Sequence, residues 1–271
     1  MAPLALVMCL LATQEMLGLY RKQGHQPIGW AMYLGTLLPL AGACAPIIWQ
    51  KDGGEETLGQ PGWLAWGLAA GMIVVILGEM FRFREPGAAI VNLALAALAI
   101  LYVGGLMGFL VQLRLLRIGD DVSLGGLCAF LSAIVVVKLA DIGAFAAGHC
   151  WGRRKLAPVL SPGKTWEGVF GGLALALVGA LLTLGPLAQV LGCGSQASWQ
   201  SWLVGSVSYG LVVSSSGILG DLAESLLKRD AGVKDSSDWL PGFGGVLDML
   251  DSLLVAAPVA YLFWVMGVVG P

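Results

Sequence analysis

Residues 87–113 read GAAIVNLALAALAILYVGGLMGFLVQL, 27 positions without one charged side chain. A helix crosses the hydrocarbon core of a bilayer in about 20 apolar residues, so this run is long enough to span. Its ambiguity is Gly104-Gly105, near the middle. Read through, the run is one span; broken at the glycines, it is a tight hairpin. That choice sets the side of the membrane on which the N-terminal loops lie.

Similar runs flank it at 1–19, 29–49, 62–81, 124–148, 166–192, 200–224 and 250–270. The expected fold is therefore all-α: a polytopic integral membrane protein with about eight transmembrane helices, forming a single membrane domain over 1–271. The composition agrees. Of 271 residues 57% are hydrophobic and 12% charged, and the mean hydropathy is +0.82. Soluble domains carry about 25% charged residues. A disordered chain, an ordinary cytosolic enzyme and a nucleic-acid binder with a basic surface are excluded, and a net charge of −2 offers no field for a polyanion. The first run has no basic start and contains Glu15, so it reads as a span and not a signal peptide.

Lys and Arg set the orientation. With the N-terminus outside and 87–113 crossing once, the inside loops hold Arg21, Lys22, Arg82, Arg84, Arg153, Arg154, Lys155, Lys164, Lys228, Arg229 and Lys234. The outside loops hold Lys51, Arg114 and Arg117. Eleven against three places the polar segments 149–165 and 225–249 on the cytoplasmic side. The hairpin reading moves the N-terminal loops but keeps those two segments together. The five cysteines form no CxxC pair and read as small apolar packing residues; the two histidines are not at zinc-ligand spacing.

Charge inside a bilayer is costly and usually functional. Glu15 and Glu79 lie near the ends of apolar runs and read as interfacial or helix-pairing residues. Lys138 and Asp141, three apart on one helix face, form either a neutral pair or part of a polar cavity wall. The stretch Ser161-Pro162-Gly163-Lys164-Thr165-Trp166-Glu167-Gly168 resembles the end of a P-loop, but the glycine that motif needs five residues before Gly163 is Pro158. What remains is a lysine and two hydroxyls where a helix opens near Thr165. That suits either a phosphate or a simple helix cap, and both readings stay open.

The densest polar region runs from Gly220 to Ser252. Asp221 and Glu224 are three apart, as are Asp248 and Asp251, so each pair shares a helix face. Between them lie Lys228, Arg229 and Lys234. Carboxylates beside basic residues suit a magnesium ion held with substrate phosphates. The turn 241–245 removes side chains, so that backbone can approach a ligand closely. A solvated loop with aspartate caps explains Asp248 but not Asp251, which lies a turn deeper in an apolar run.

At these residues the chain resembles the phosphatidate cytidylyltransferase (CDP-diacylglycerol synthase) family. The resemblance rests on Ser225-Leu226-Leu227-Lys228-Arg229, Lys234-Asp235, Pro241-Gly242-Phe243-Gly244-Gly245 and Asp248-Met249-Leu250-Asp251. The blocks 141–145, 161–168 and 220–225 also match. The match covers about 120–260; the first half matches only as apolar spans. Two positions depart: Phe243 stands where the family has His, and Met249 where it has Arg. The departures bear on rate or on the identity of the lipid acceptor more than on metal binding.

The resemblance implies membrane scaffold helices over 1–119 and a catalytic region over 120–271. The implied reaction is CTP plus phosphatidate giving CDP-diacylglycerol and pyrophosphate, in phospholipid biosynthesis. It makes Asp221, Asp248 and Asp251 ligands of Mg2+, with a second cation compatible. Lys228, Arg229, Lys234 and Lys164 go to phosphates, Ser161, Ser225 and Asp235 support them, and Asp141 lines the cavity. CTP would come from the cytoplasm and the lipid from the membrane, a bacterial inner membrane; a homodimer is compatible with the sequence. Two other readings compete. A CTP-dependent lipid kinase of the dolichol- or phytol-kinase type would attack the γ-phosphorus. An ion-coupled transporter would use Lys138, Asp141, Asp221 and Asp251 as a relay. A CDP-alcohol phosphotransferase needs an aspartate spacing that is absent.

Overall fold

The computed structural model describes residues 2–51, 59–117, 122–194, 198–237 and 244–270, and almost all of its regular structure is helical. The first three helices are α1 (Ala2–Lys22), α2 (Gly29–Lys51) and α3 (Gly59–Arg82). The 87–113 run follows as α4 (Ala89–Ala99), a π-helical turn (Ile100–Gly105) and α5 (Leu106–Leu115). Then come α6 (Val122–Trp151), a hairpin of β1 (Lys155–Ala157) and β2 (Ser161–Thr165), α7 (Trp166–Leu182), a second π-helical turn (Thr183–Leu187) and α8 (Ala188–Val190). Helices α9 (Trp199–Asp230) and α10 (Val246–Val265) complete the order.

The double glycine does not break its run. It lies in the π turn, where Ile100, Val103, Gly104 and Gly105 are buried, and the helix continues as a 27-residue apolar segment. A Cβ on Gly104 would lie 2.6 Å from the Thr36 carbonyl oxygen, so the missing side chain serves close approach to α2. One widened turn accommodates that approach without a hairpin.

Among the described residues seven helical segments are long and apolar enough to cross a membrane. Only 33–61% of each such window is buried inside the protein, which leaves apolar surface for lipid. Ile90 and Phe81, exposed by 81% and 83%, belong to that surface. The chain is a multi-pass membrane protein built from α-helices. Three of the five cysteines, Cys9, Cys128 and Cys193, are buried, as packing residues should be.

By contacts the chain divides into two compact units: Met1–Gln112 with Leu227–Leu250, and Leu113–Leu226 with Asp251–Pro271. In the first, α1 and α2 are joined by the buried hydroxyls of Thr13 and Thr36, 2.9 Å apart. In the second, Ser132 of α6 binds Tyr209 of α9 (2.8 Å) and accepts from the Trp264 indole of α10 (3.3 Å). Where lipid surrounds the helices there is no water to drive apolar association, so small residues and such hydrogen bonds hold them together.

Candidate active site

In the first unit the polar centre is Asp248. Gly245 immediately precedes α10, which begins at Val246, so Asp248 stands at the third helical position. Its Oδ2 accepts from the Gly245 N–H at 2.7 Å and the Ser236 N–H at 3.0 Å. The return bond to Gly245 is half of a capping box. The other carboxylate oxygen, Oδ1, receives the Lys228 ammonium from the C-terminal end of α9 at 2.5 Å. Asp248 is thus a helix cap, as its sequence position suggested, and is also paired with a motif lysine.

Glu15 belongs to the same network. It is buried on α1, and its carboxylate accepts from the N–H groups of Val246 (2.9 Å) and Leu247 (2.8 Å). The hydroxyls of Ser237 (2.8 Å) and Ser236 (3.0 Å) approach it too. The Ser236 hydroxyl also lies 2.7 Å from Asp248 Oδ2. The sequence reading missed Glu15, Ser236 and Ser237 as site residues. The available signal was a carboxylate inside an apolar span.

In the second unit a different cluster forms. Lys164 of β2 pairs with Asp221 of α9, Nζ to Oδ2, at 2.5 Å. Lys138 pairs with Asp141 at 3.1 Å on α6. Asp251 of α10 is buried, shares a hydrogen bond with Glu224 and interacts electrostatically with Asp221 and Lys138. Asp141 interacts likewise with Asp221 and Lys164. Four carboxylates therefore meet two ammonium groups. The close approach is set by Gly220, where a Cβ would lie 2.5 Å from the Asp251 carbonyl oxygen. Glu224, fully buried beside Asp251, also went unassigned from sequence.

Helix α7 opens where expected. Thr165 is its N-cap, and its hydroxyl accepts from the Gly168 N–H at 3.1 Å. Glu167 in the first turn accepts from the N–H groups of Arg153 and Arg154 at 3.1 and 3.2 Å. The capping reading accounts for Thr165 and Glu167, while Lys164 is directed to Asp221. Antiparallel pairing of β1 with β2 holds Lys164 in place, with Ala157 opposite Ser161. Ser161 is half-buried and Ser225 buried; Arg229, Lys234 and Asp235 are exposed. Arg229 donates to the Val233 carbonyl at 3.2 Å. Residues 241–243, including Phe243, lie outside the described residues. Met249 is on α10 and 39% exposed.

Among the described residues no group of three or more His, Cys, Asp or Glu side chains is arranged to hold a metal ion. The donor chemistry still fits magnesium, which uses one or two carboxylates and completes its shell with water and phosphate oxygens. Asp221 and Asp251 are such a pair, in a cluster where carboxylates outnumber ammonium groups.

A model of the cytidylyltransferase family matches residues 1–266. A phosphatidate cytidylyltransferase of Haemophilus influenzae is 37% identical over 199 residues, 73% of this chain and 65% of that protein. Another, of Pseudomonas aeruginosa, is 45% identical over 138 residues, 51% of this chain and 48% of that protein. An uncharacterised Escherichia coli protein is 33% identical over 223 residues, 75% of this chain and 70% of that protein. The chain thus spans between about half and two thirds of the length of the two relatives with that name.

Proposed function

The chain belongs to the cytidylyltransferase family, and from that premise we propose that it converts CTP and phosphatidate to CDP-diacylglycerol and pyrophosphate. One observation carries the proposal. Two lysines that the family motifs assign to phosphate are each held against a carboxylate that the motifs assign to a cation: Lys164 on Asp221 and Lys228 on Asp248. Such pairs keep both charges in place in a protein with little charge to spare. They also suit substrates that bring phosphate for the lysines and a cation for the carboxylates.

In the proposed reaction an oxygen of the lipid phosphate attacks the α-phosphorus of CTP. One P–O bond forms to the lipid, the bond from the α-phosphorus to the bridging oxygen breaks, and pyrophosphate leaves with the electron pair. The nucleophile is already an anion, so no strong general base is needed. The barrier lies in bringing two anions together, and alignment with charge neutralisation answers it. Asp221 and Asp251 in one unit, and Asp248 in the other, are each proposed as carboxylate ligands of Mg2+, with a second ion compatible. When bound, Mg2+ supplies charge neutralisation at phosphate oxygens. Lys164 and Lys228, with Arg229 and Lys234, orient the phosphates; Ser161, Ser225 and Asp235 assist, and Asp141 lines the cavity.

The excess of Lys and Arg on the loops that carry these residues supports a site facing the cytoplasm, reached by CTP from water and by phosphatidate from the bilayer. The two named bacterial relatives support an inner-membrane location. The test uses purified protein in detergent with Mg2+, phosphatidate and CTP labelled at either the α or the γ position. Label passing to lipid from the α position, with pyrophosphate released, supports the proposal. Transfer from the γ position alone identifies a lipid kinase and overturns it, as does inactivity without a closed membrane.

A further inference from the structure

A helix N-terminus exposes N–H groups with no partner inside the helix, and the residue at the cap usually supplies an oxygen from its own side chain. At α10 that residue is Gly245, which has none. The oxygens come instead from Glu15, distant in sequence, through the N–H groups of Val246 and Leu247. The glycine is required by this arrangement. A Cβ on Gly245 would overlap the Glu15 carboxylate and the Ser236 hydroxyl. A carboxylate here also faces the positive end of the helix dipole.

The same carboxylate reaches Asp248 by a second route. The Ser236 hydroxyl stands within hydrogen-bond distance of both Glu15 Oε2 and Asp248 Oδ2. It has one proton, so it donates to one carboxylate at a time. When Asp248 gives electron density to a cation it becomes the poorer acceptor, and Glu15 is the alternative.

We propose that Glu15 is a positioning residue for Asp248: it anchors the first turn of α10 from α1 and takes up the Ser236 hydroxyl, holding Asp248 ready for a divalent cation. The proposal rests on the reading of Asp248 as a cation ligand. Partners behind metal ligands typically change metal affinity by about 10–100-fold when removed. A residue that only capped the helix would change stability and leave the affinity of the folded protein unchanged.

The experiment measures Mn2+ binding by electron paramagnetic resonance on the full chain in detergent, with a melting curve for each variant. Glu15→Gln puts an amide donor against helix N–H groups and is expected to weaken Mn2+ binding about tenfold. Glu15→Asp, which keeps the charge, is expected to recover part of that loss. Ser237→Ala removes one donor to Glu15 without touching α1 or α10, is expected to shift affinity less in the same direction, and decides the matter if Glu15→Gln does not fold. Asp248→Asn is the control. If it abolishes Mn2+ binding while folded Glu15→Gln and Ser237→Ala bind as wild type does, Glu15 is only a cap and the proposal is overturned. If Asp248→Asn itself binds as wild type does, the cation reading of Asp248 fails and takes this proposal with it.

Discussion

Lys228 Nζ lies 2.5 Å from Asp248 Oδ1, with the two side chains exposed by only 13% and 11%. The Lys164–Asp221 pair has the same length, but its side chains are exposed by 22% and 34%. Two pairs of the same chemistry thus sit in different surroundings, and their loss should be felt differently.

Removing one partner of a buried ion pair leaves the other charge uncompensated, typically at about 3–5 kcal/mol. Lys228→Met should therefore lower stability by about 3 kcal/mol and abolish pyrophosphate release. Thermal melting in detergent and the labelled-CTP assay measure the two effects. A melting point equal to wild type would show that the pair is not strongly coupled to folding.

Asp221→Asn should behave otherwise. The pair is partly solvated, and exposed pairs contribute about 0–1 kcal/mol, so the melting point should barely move. Turnover with Mg2+ should fall by at least about 100-fold, the scale on which lost electrostatic stabilisation acts. Near-normal turnover would remove Asp221 from the cation ligands.

Much of this was legible in the sequence, and the rest was hidden for identifiable reasons. The helices follow from predominantly apolar runs of spanning length, and most of the candidate residues follow from blocks that stand close together in the chain. The fate of Gly104-Gly105 was not legible, because a double glycine breaks a helix or admits a neighbour equally well. The Thr36 carbonyl beside Gly104 decides it. Glu15 was hidden because its hydrogen bonds join residues more than 220 positions apart, and no periodicity records such a contact. Gly245 was read as making room for a ligand, whereas the space beside it holds a carboxylate of the same chain.

Gly220→Ala tests the close approach of α9 to α10. The added Cβ would meet the Asp251 carbonyl oxygen at 2.5 Å, so one backbone must shift. Overpacking of this kind costs about 1–3 kcal/mol. The shift falls beside Asp221 and Asp251, so turnover at saturating Mg2+ should drop further than the loss of folded protein explains. Circular dichroism melting together with turnover per folded molecule separates the two contributions. An activity loss fully accounted for by unfolding would show that the spacing of these helices matters only for stability.

Met249 offers a test in the direction of gain. It follows Asp248 on α10 and is 39% exposed, at the position where the family motif carries Arg. Neighbouring residues on a helix point about 100° apart and do not face each other, so an arginine here would not cover the Asp248 carboxylate. It would add a planar, permanently charged donor that binds phosphate through two hydrogen bonds. Met249→Arg should lower the KM for CTP or for phosphatidate several-fold, because a charge-assisted hydrogen bond is worth about 1.5–3 kcal/mol and some of that is spent ordering the new side chain. The melting point should stay within about 2 °C, since exposed substitutions usually change stability by no more than about 0.5 kcal/mol. Steady-state kinetics with each substrate varied in turn shows which phosphate the arginine reaches. Unchanged KM values for both would mean that this face of α10 meets neither substrate, and that the methionine is no handicap to this chain.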